Sequence, residues 1–309
     1  MFKYINPGYG ELLNLAIRAT TKSTVYNSLN GVSFTNTERV GLIYIPDGIK
    51  EVWIQADVFI DTSKGSDKYN RIYVGNGAHI NTGFYQNNET TIGAWNMGKT
   101  DTDTITMPNT VDGKVHTFGV HASAYKDYDK SFMELYVDGA LVYKDSSHAN
   151  GYINDYEDIK YITFYGGANT FYSNIIIADH DIIGEKVIEF PISRESGDFV
   201  VQSDGKKKAT AVGQKLEAYV NYKDIDSAIL KSMSVGTITA VGASAVGFSH
   251  DASVVNSMKV DVCNGEGESL GSAENEITAG EGALGPVVEK TFELTEIAAM
   301  KVVLEAKHD

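Results

Sequence analysis

Apolar and polar side chains alternate in short bursts through the first 180 residues. Val52, Ile54, Ala56, Val58 and Ile60 fall on one face of an extended segment, and Trp53, Gln55, Asp57 and Phe59 on the other. His116–Tyr125 and Phe132–Val137 alternate in the same way. Asp138-Gly139 then stands before a further run, Ala140–Lys144. A type I′ turn needs positive φ at both central residues, which Asp-Gly supplies, so a tight hairpin is predicted here. Shorter strands are expected over Arg71–Val74, Gly83–Tyr85, Thr91–Trp95, Thr104–Met107, Tyr161–Tyr165 and Tyr172–Asp179, with Gly, Asn and Asp clusters between several of them. Many short strands at this spacing predict a β-sandwich or jelly roll.

The pattern changes near residue 183. Of the 32 Phe, Trp and Tyr in the chain, 26 lie in residues 1–182, and the remaining stretch is rich in Ala, Val, Gly, Ser and Thr. Two domains are therefore expected, 1–183 and 184–309, the second a smaller β-sandwich. Strands are expected there over Phe199–Gln202, Lys208–Val212, Leu216–Val220, Thr237–Val241, Ser257–Val262, Val287–Leu294 and Met300–Ala306, with a helical turn or two over Asp226–Lys231. Lys206, Lys207 and Lys208 read as a solvated hairpin tip. Asn264–Gly282, Gly-rich and acidic, reads as a mobile loop or one buried only in an assembly; it lacks a phosphate-loop lysine.

Charge and cysteine usage narrow the function classes. The net charge of −15 opposes nucleic-acid binding and docking on an anionic membrane. No run approaches the roughly 18–20 apolar residues of a membrane span. The opening residues Met1–Gly8 hold no apolar stretch of the secretory type, so no signal peptide is expected. A single cysteine, Cys263, allows no intrachain disulfide and reads as a small apolar strand residue.

The run of parts over residues 30–182 resembles the concanavalin A/laminin G-like jelly roll. The resemblance rests on Glu51–Ile60, Lys114–Val120, Glu134–Val142, Thr163–Gly167 and Tyr172–Asp179. It implies an all-β, concanavalin A-like jelly-roll sandwich that binds sugars or proteins, or cleaves glycans. Phe171–Ile182 followed by a Gly/Ala/Thr-rich module with Ala209–Leu216 is similar to virion and tail-appendage proteins of tailed phages and prophages. That likeness implies a virion component assembled in the host cytoplasm, with other virion proteins and a host-surface glycan as partners. It also implies a homo-oligomer, a trimer by analogy, with the second domain serving attachment or oligomerisation.

A retaining glycosidase needs two carboxylates about 5–5.5 Å apart. The nearest pair on one strand face is Glu134 and Asp138, read as one exposed side chain and one turn residue, so no catalytic residue is assigned. There is no Gly-x-Ser-x-Gly, and His116 and His121, five apart on one strand, point to opposite faces. Calcium is the metal that loop carboxylates could hold, at Asp101–Asp103, Asp127–Asp129, Asn154–Asp158 or Asp179–Asp181. Glycan binding needs aromatic platforms and planar polar groups. Arg71, Tyr73, Tyr85, Asn87, Asn88 and Trp95 supply both, with His79 nearby. Gly93, on the Trp95 face, would leave a shallow pocket beside the indole, unless Trp95 packs the core. Trp53 reads as core or inter-sheet packing. The leading expectation is a non-enzymatic phage virion protein with a lectin-like module. The alternatives are a capsid decoration protein without a ligand and a polysaccharide-degrading glycoside hydrolase.

Overall fold

The computed structural model describes residues 2–7, 23–26, 31–34, 41–64, 70–75, 80–95, 103–123, 132–145, 158–166, 169–190, 192–220, 238–246, 249, 251–277 and 282–308. The chain forms two compact units, Met1–Val187 and Ile188–Asp309.

The first unit is a two-sheet antiparallel jelly roll. Its strands are β1 (Lys3–Asn6), β2 (Ser23–Tyr26), β3 (Gly31–Phe34), β4 (Gly41–Tyr44), β5 (Glu51–Ile60), β6 (Arg71–Gly75), β7 (Ile80–Gln86), β8 (Thr91–Trp95), β9 (Asp103–Thr106), β10 (Val115–Ser123), β11 (Met133–Val137), β12 (Ala140–Asp145), β13 (Tyr161–Tyr165) and β14 (Thr170–Ala178). One sheet runs β12-β11-β10-β5-β14-β3-β2, with β1 also on β14. The other runs β4-β13-β6-β7-β8-β9. The alternation seen in the sequence decides which face is inside. Val52, Ile54, Ala56, Val58 and Ile60 are buried, as are Phe118, Val120 and Ala122 across the ladder. From the other sheet come Ile72, Val74, Phe84, Ile92, Ala94, Ile162 and Phe164. Ring contacts join the two layers: Phe84 stacks on Phe118 at 5.6 Å, and Phe164 meets Tyr172 edge-on at 5.4 Å.

Asp138 and Gly139 take φ of 50° and 79°, as the type I′ turn requires. The Ile-rich last strand holds a bulge. Asn174 takes φ 48° and its amide donates to Asp57, and the register with β5 shifts between Ser173 and Ile176. After the bulge Ile177 pairs with Ile54 on the inner face, whereas Ile176 and Ala178 form an outer cluster with Ile182, Ile5, Trp53 and Val187. Trp53, expected in the core or between the sheets, therefore packs on the outward side of the eight-stranded sheet. The Gln55 amide fixes the crossing segment there: its nitrogen donates to the Glu185 carbonyl and its oxygen accepts from the Gly184 N–H, both at 2.7 Å.

The second unit contains β15 (Ile192–Gly197), β16 (Val200–Val201), β17 (Lys207–Lys208), β18 (Lys215–Val220), β19 (Ile238–Val246), β20 (Ser257–Cys263), β21 (Ser269–Glu276), β22 (Gly282–Phe292) and β23 (Lys301–Lys307). A five-stranded sheet β15-β18-β23-β20-β21 is joined by the pairs β16-β17 and β19-β22. The apolar clusters around Val260 and Ala306, and around Phe292, Ile297 and Met300, fill it. Two expectations are corrected. Asn264–Gly282 is not a plain loop. The Asn264 side chain accepts from the Glu266 and Glu268 N–H groups, closing a turn, and Ser269–Glu276 then pairs along β20. Lys208–Val212 is not a full strand, because Gln214 Oε1 accepts from Thr210 and Ala211 and turns the chain after Lys208. The Lys206–Lys208 tip is an exposed hairpin, with Lys206 beside Asp204 and Lys207 paired to Glu195. Residues 226–231 lie outside the described residues. No helix of the described residues is long and apolar enough to cross a membrane.

Candidate functional site

The outward face of the six-stranded sheet is built from the odd positions of β6, β7, β8 and β13. Directly paired residues of an antiparallel ladder share a face. One row therefore runs Tyr165–Arg71–Tyr85–Gly93–Thr104, and the next runs Leu42–Thr163–Tyr73–Gly83–Trp95. In a third, Tyr44 and Gly75 flank Tyr161.

Glycines make this face unusual. A Cβ built on Gly93 would lie 2.5 Å from Tyr85 Cζ, and one on Gly83 or Gly75 would run into the Tyr73 or Tyr161 ring. Each tyrosine thus lies across the glycine of the next strand, from β13 to β6 to β7 to β8, covering backbone that glycine leaves bare. The pocket expected over Gly93 does not exist, because Tyr85 fills it. Tyr73 also meets Tyr165 edge-on at 5.7 Å, and the Arg71 guanidinium stands 5.8 Å from the centre of the Tyr85 ring. Tyr161 and Tyr73 are only 5% and 4% exposed, whereas Arg71, Tyr85 and Tyr165 are half-buried and Tyr44 is open. Burial pushes the Tyr73 hydroxyl up to about 12, against a hydrogen bond and a charge from Arg71 that pull it down.

The structure thus brings Arg71, Tyr73 and Tyr85 together and adds Tyr165. Asn87 and Asn88 lie apart, at the exposed β7–β8 turn. Asn88 Oδ1 accepts from the Thr90 and Thr91 N–H groups, so its role is to close the turn. Trp95 occupies the register position opposite Gly83. His79 lies outside the described residues. No Asp, Glu or His stands among the described strand positions of this face.

A second polar cluster sits on the outward face of the eight-stranded sheet. His121 pairs across β5 with Trp53 and stacks on it at 3.4 Å, with Phe132 edge-on at 4.5 Å. Its Nδ1 lies 2.9 Å from Glu134 Oε2 and its Nε2 lies 2.7 Å from Glu51 Oε1. Lys144 Nζ and Tyr136 Oη donate to the same Glu134 carboxylate, at 2.6 and 2.9 Å. Burial acts to raise the Glu134 carboxyl, but hydrogen bonds from Lys144, His121 and Tyr136 outweigh it and hold the group at about 2. Glu134 was expected to be exposed. It is instead buried, because the β10 and β12 partners close over it. Asp138 belongs to another network, accepting from the Thr117 N–H and lying 2.8 Å from His116 Nδ1. Glu51, His121, Tyr136 and Lys144 are not predicted as a group by the sequence, since only the four-strand register shows that they meet.

The described calcium candidates are already engaged. Asp103 accepts from Tyr143, Asp158 faces Lys160 and the Gly48 N–H, Asp179 faces His180, and Asp181 accepts from the Ile183 N–H. Residues 101, 127–129 and 154–157 lie outside the described residues. Among the described residues no three His, Cys, Asp or Glu side chains group as metal ligands.

No protein-family model matches the chain, and no curated protein matches it in sequence. Several solved structures align with part of the chain. Alginate lyase Aly36B aligns over 56% of this chain and 92% of its own, at 14% identity and a TM-score of 0.40. A point mutant of the carbohydrate recognition domain of Emp46p aligns over 58% and 97%, at 13% identity and 0.38. Sheep galectin-11, in complex with glycerol, aligns over 46% and 100%, at 9% identity and 0.34. None of their activities is carried over to this chain by likenesses of this size.

Proposed function

We propose that the first unit binds a carbohydrate on the outward face of its six-stranded sheet and does not cleave it. The observation that carries this reading is the row Tyr165–Arg71–Tyr85, in which a guanidinium stands between two tyrosines, one of them laid across Gly93, on a face free of described carboxylates. Sugars present C–H faces to aromatic rings and hydroxyl edges to planar donors, and both partners stand side by side here. Glycoside hydrolysis asks for a carboxylate pair, which the described positions of this face do not supply. Proton abstraction by Tyr73 is disfavoured by a hydroxyl held near 12.

Affinity electrophoresis through gels cast with neutral and acidic polysaccharides tests the reading. The wild-type chain is expected to be retarded, and Tyr85→Ala to run freely with its fold intact. Unretarded wild type on every polysaccharide would end the proposal. A second reading, a decoration protein whose face is closed, is favoured by the burial of Tyr73 and Tyr161; it expects no retardation at all.

The setting that the sequence resemblance implies, a virion appendage of several copies that meets a host-surface glycan, forms part of the same proposal. Light scattering of the purified chain checks it: a mass of three or more copies supports an assembled appendage, and a monomer of 33.6 kDa opposes it.

A further inference from the structure

We infer that the saccharide taken by this face is acidic, and that Arg71 is the residue that selects it by pairing with a carboxylate or sulfate on the sugar ring. This rests on the carbohydrate-binding reading above. Many cations elsewhere in the described structure meet acids, although Arg194 stands over the Tyr219 ring instead. Lys3, Lys144, Lys160 and Lys301 each stand 2.6 Å from a carboxylate oxygen. Arg71 makes no ion pair with a described residue. Its same-face neighbours across the ladders are Tyr165 and Tyr85, the diagonal positions are Thr163 and Gly83, and Gly93 follows Tyr85 in the same row.

A half-buried guanidinium among aromatic rings gives up hydration without gaining a counter-charge from any described residue. It holds five N–H donors in a plane, and the Tyr73 hydroxyl can take only part of that capacity. The remaining fork has the geometry of a carboxylate or a sulfate edge, and charge-assisted hydrogen bonds are about twice as strong as neutral ones. Thr163 adds a second polar group on this face. Its hydroxyl oxygen is fully buried beside Tyr73 in the ladder and has no hydrogen-bond partner among the described residues. The chain's charge of −15 makes the placement informative. An anionic ligand is repelled by most of such a surface, so a face whose described strand positions hold an arginine and no acid is where it can be held.

A glycan array carrying neutral, uronate-containing, sialylated and sulfated saccharides tests this, read with wild type, Arg71→Gln, Arg71→Lys and Tyr85→Ala, each checked for an unchanged thermal transition. Wild-type signal is expected on acidic members, and the class that responds tells carboxylate from sulfate. Arg71→Gln should lower it at least tenfold, Arg71→Lys should restore part of it, and Tyr85→Ala should weaken it as well. If neutral glycans dominate, or if Arg71→Gln lowers neutral and acidic signals alike, the inference is overturned while carbohydrate binding stands. If the wild type binds no saccharide of any class, both fall together.

Discussion

On the outward face of the eight-stranded sheet, His121, Glu134, Glu51, Lys144 and Tyr136 direct their hydrogen bonds at one another. On the outward face of the six-stranded sheet, Arg71 meets tyrosine and no described acid. Both faces belong to one jelly roll and both carry aromatic rings, but the rings differ in what they do. Trp53 seals an imidazole whose two nitrogens already face carboxylates, whereas Tyr85 lies across a glycine beside a cation with no counter-charge among the described residues. Polar groups satisfied from within hold the fold. Polar groups left with unmet capacity are the ones a ligand can satisfy.

The sharpest break in this contrast is Glu134→Ala. It removes the acceptor shared by His121, Lys144 and Tyr136, and should destabilise the chain by about 3 kcal/mol in urea denaturation. Sugar binding by the folded fraction should be unchanged. A loss below about 1 kcal/mol would mean that the cluster does not hold the fold.

Acid should act on the same group. Its folded value of about 2 lies below the 4.5 of an unperturbed glutamate. Its contribution is therefore present above 4.5 and lost as the pH falls toward 2. Thermal melts across that window should decline in the wild type and flatten in Glu134→Gln. Parallel curves would assign the acid sensitivity to other carboxylates.

On the opposite face, Gly93→Val tests the ring platform. The new side chain must displace the Tyr85 ring, so binding should fall about tenfold, equivalent to about 1.4 kcal/mol. The strain of overpacking should cost about 1–2 kcal/mol of stability. Unchanged affinity would show that the position of Tyr85 is irrelevant to the ligand.

The smallest effect is expected at His116, where the hairpin turn meets the Asp112 turn. Burial lowers its proton affinity, but Asp138 and Asp112, at 2.8 and 3.0 Å, raise it further, so the net shift is upward from 6.5. Because the folded value lies above the unfolded one, this stabilisation is complete below 6.5 and is lost as the pH rises through the folded value. A slight fall in melting temperature above neutrality, absent in His116→Gln, is the expected result. An equal fall in both chains would remove His116 from the account.

The alternation of Val52–Ile60, the Asp138-Gly139 turn and the loss of aromatic residues past 182 were enough to read an all-β chain with a sandwich in its first part, because strand period, turn dihedrals and composition are local properties. The grouping of Arg71, Tyr73 and Tyr85 was legible from residue type and from their closeness along two neighbouring strands. What the local pattern could not show was which strands become neighbours. His121 meets Glu51 and Glu134 only because β10 lies between β5 and β11, joining residues 70 and 13 positions apart. The covering of Gly93 by Tyr85 depends on a register exact to one residue, since a slip of one would turn every side chain to the other face. Residue chemistry and strand period were thus written along the chain. Burial, partnership and the absence of a described counter-charge at Arg71 came from long-range pairing, where the energy of each polar group depends on what the fold places opposite it.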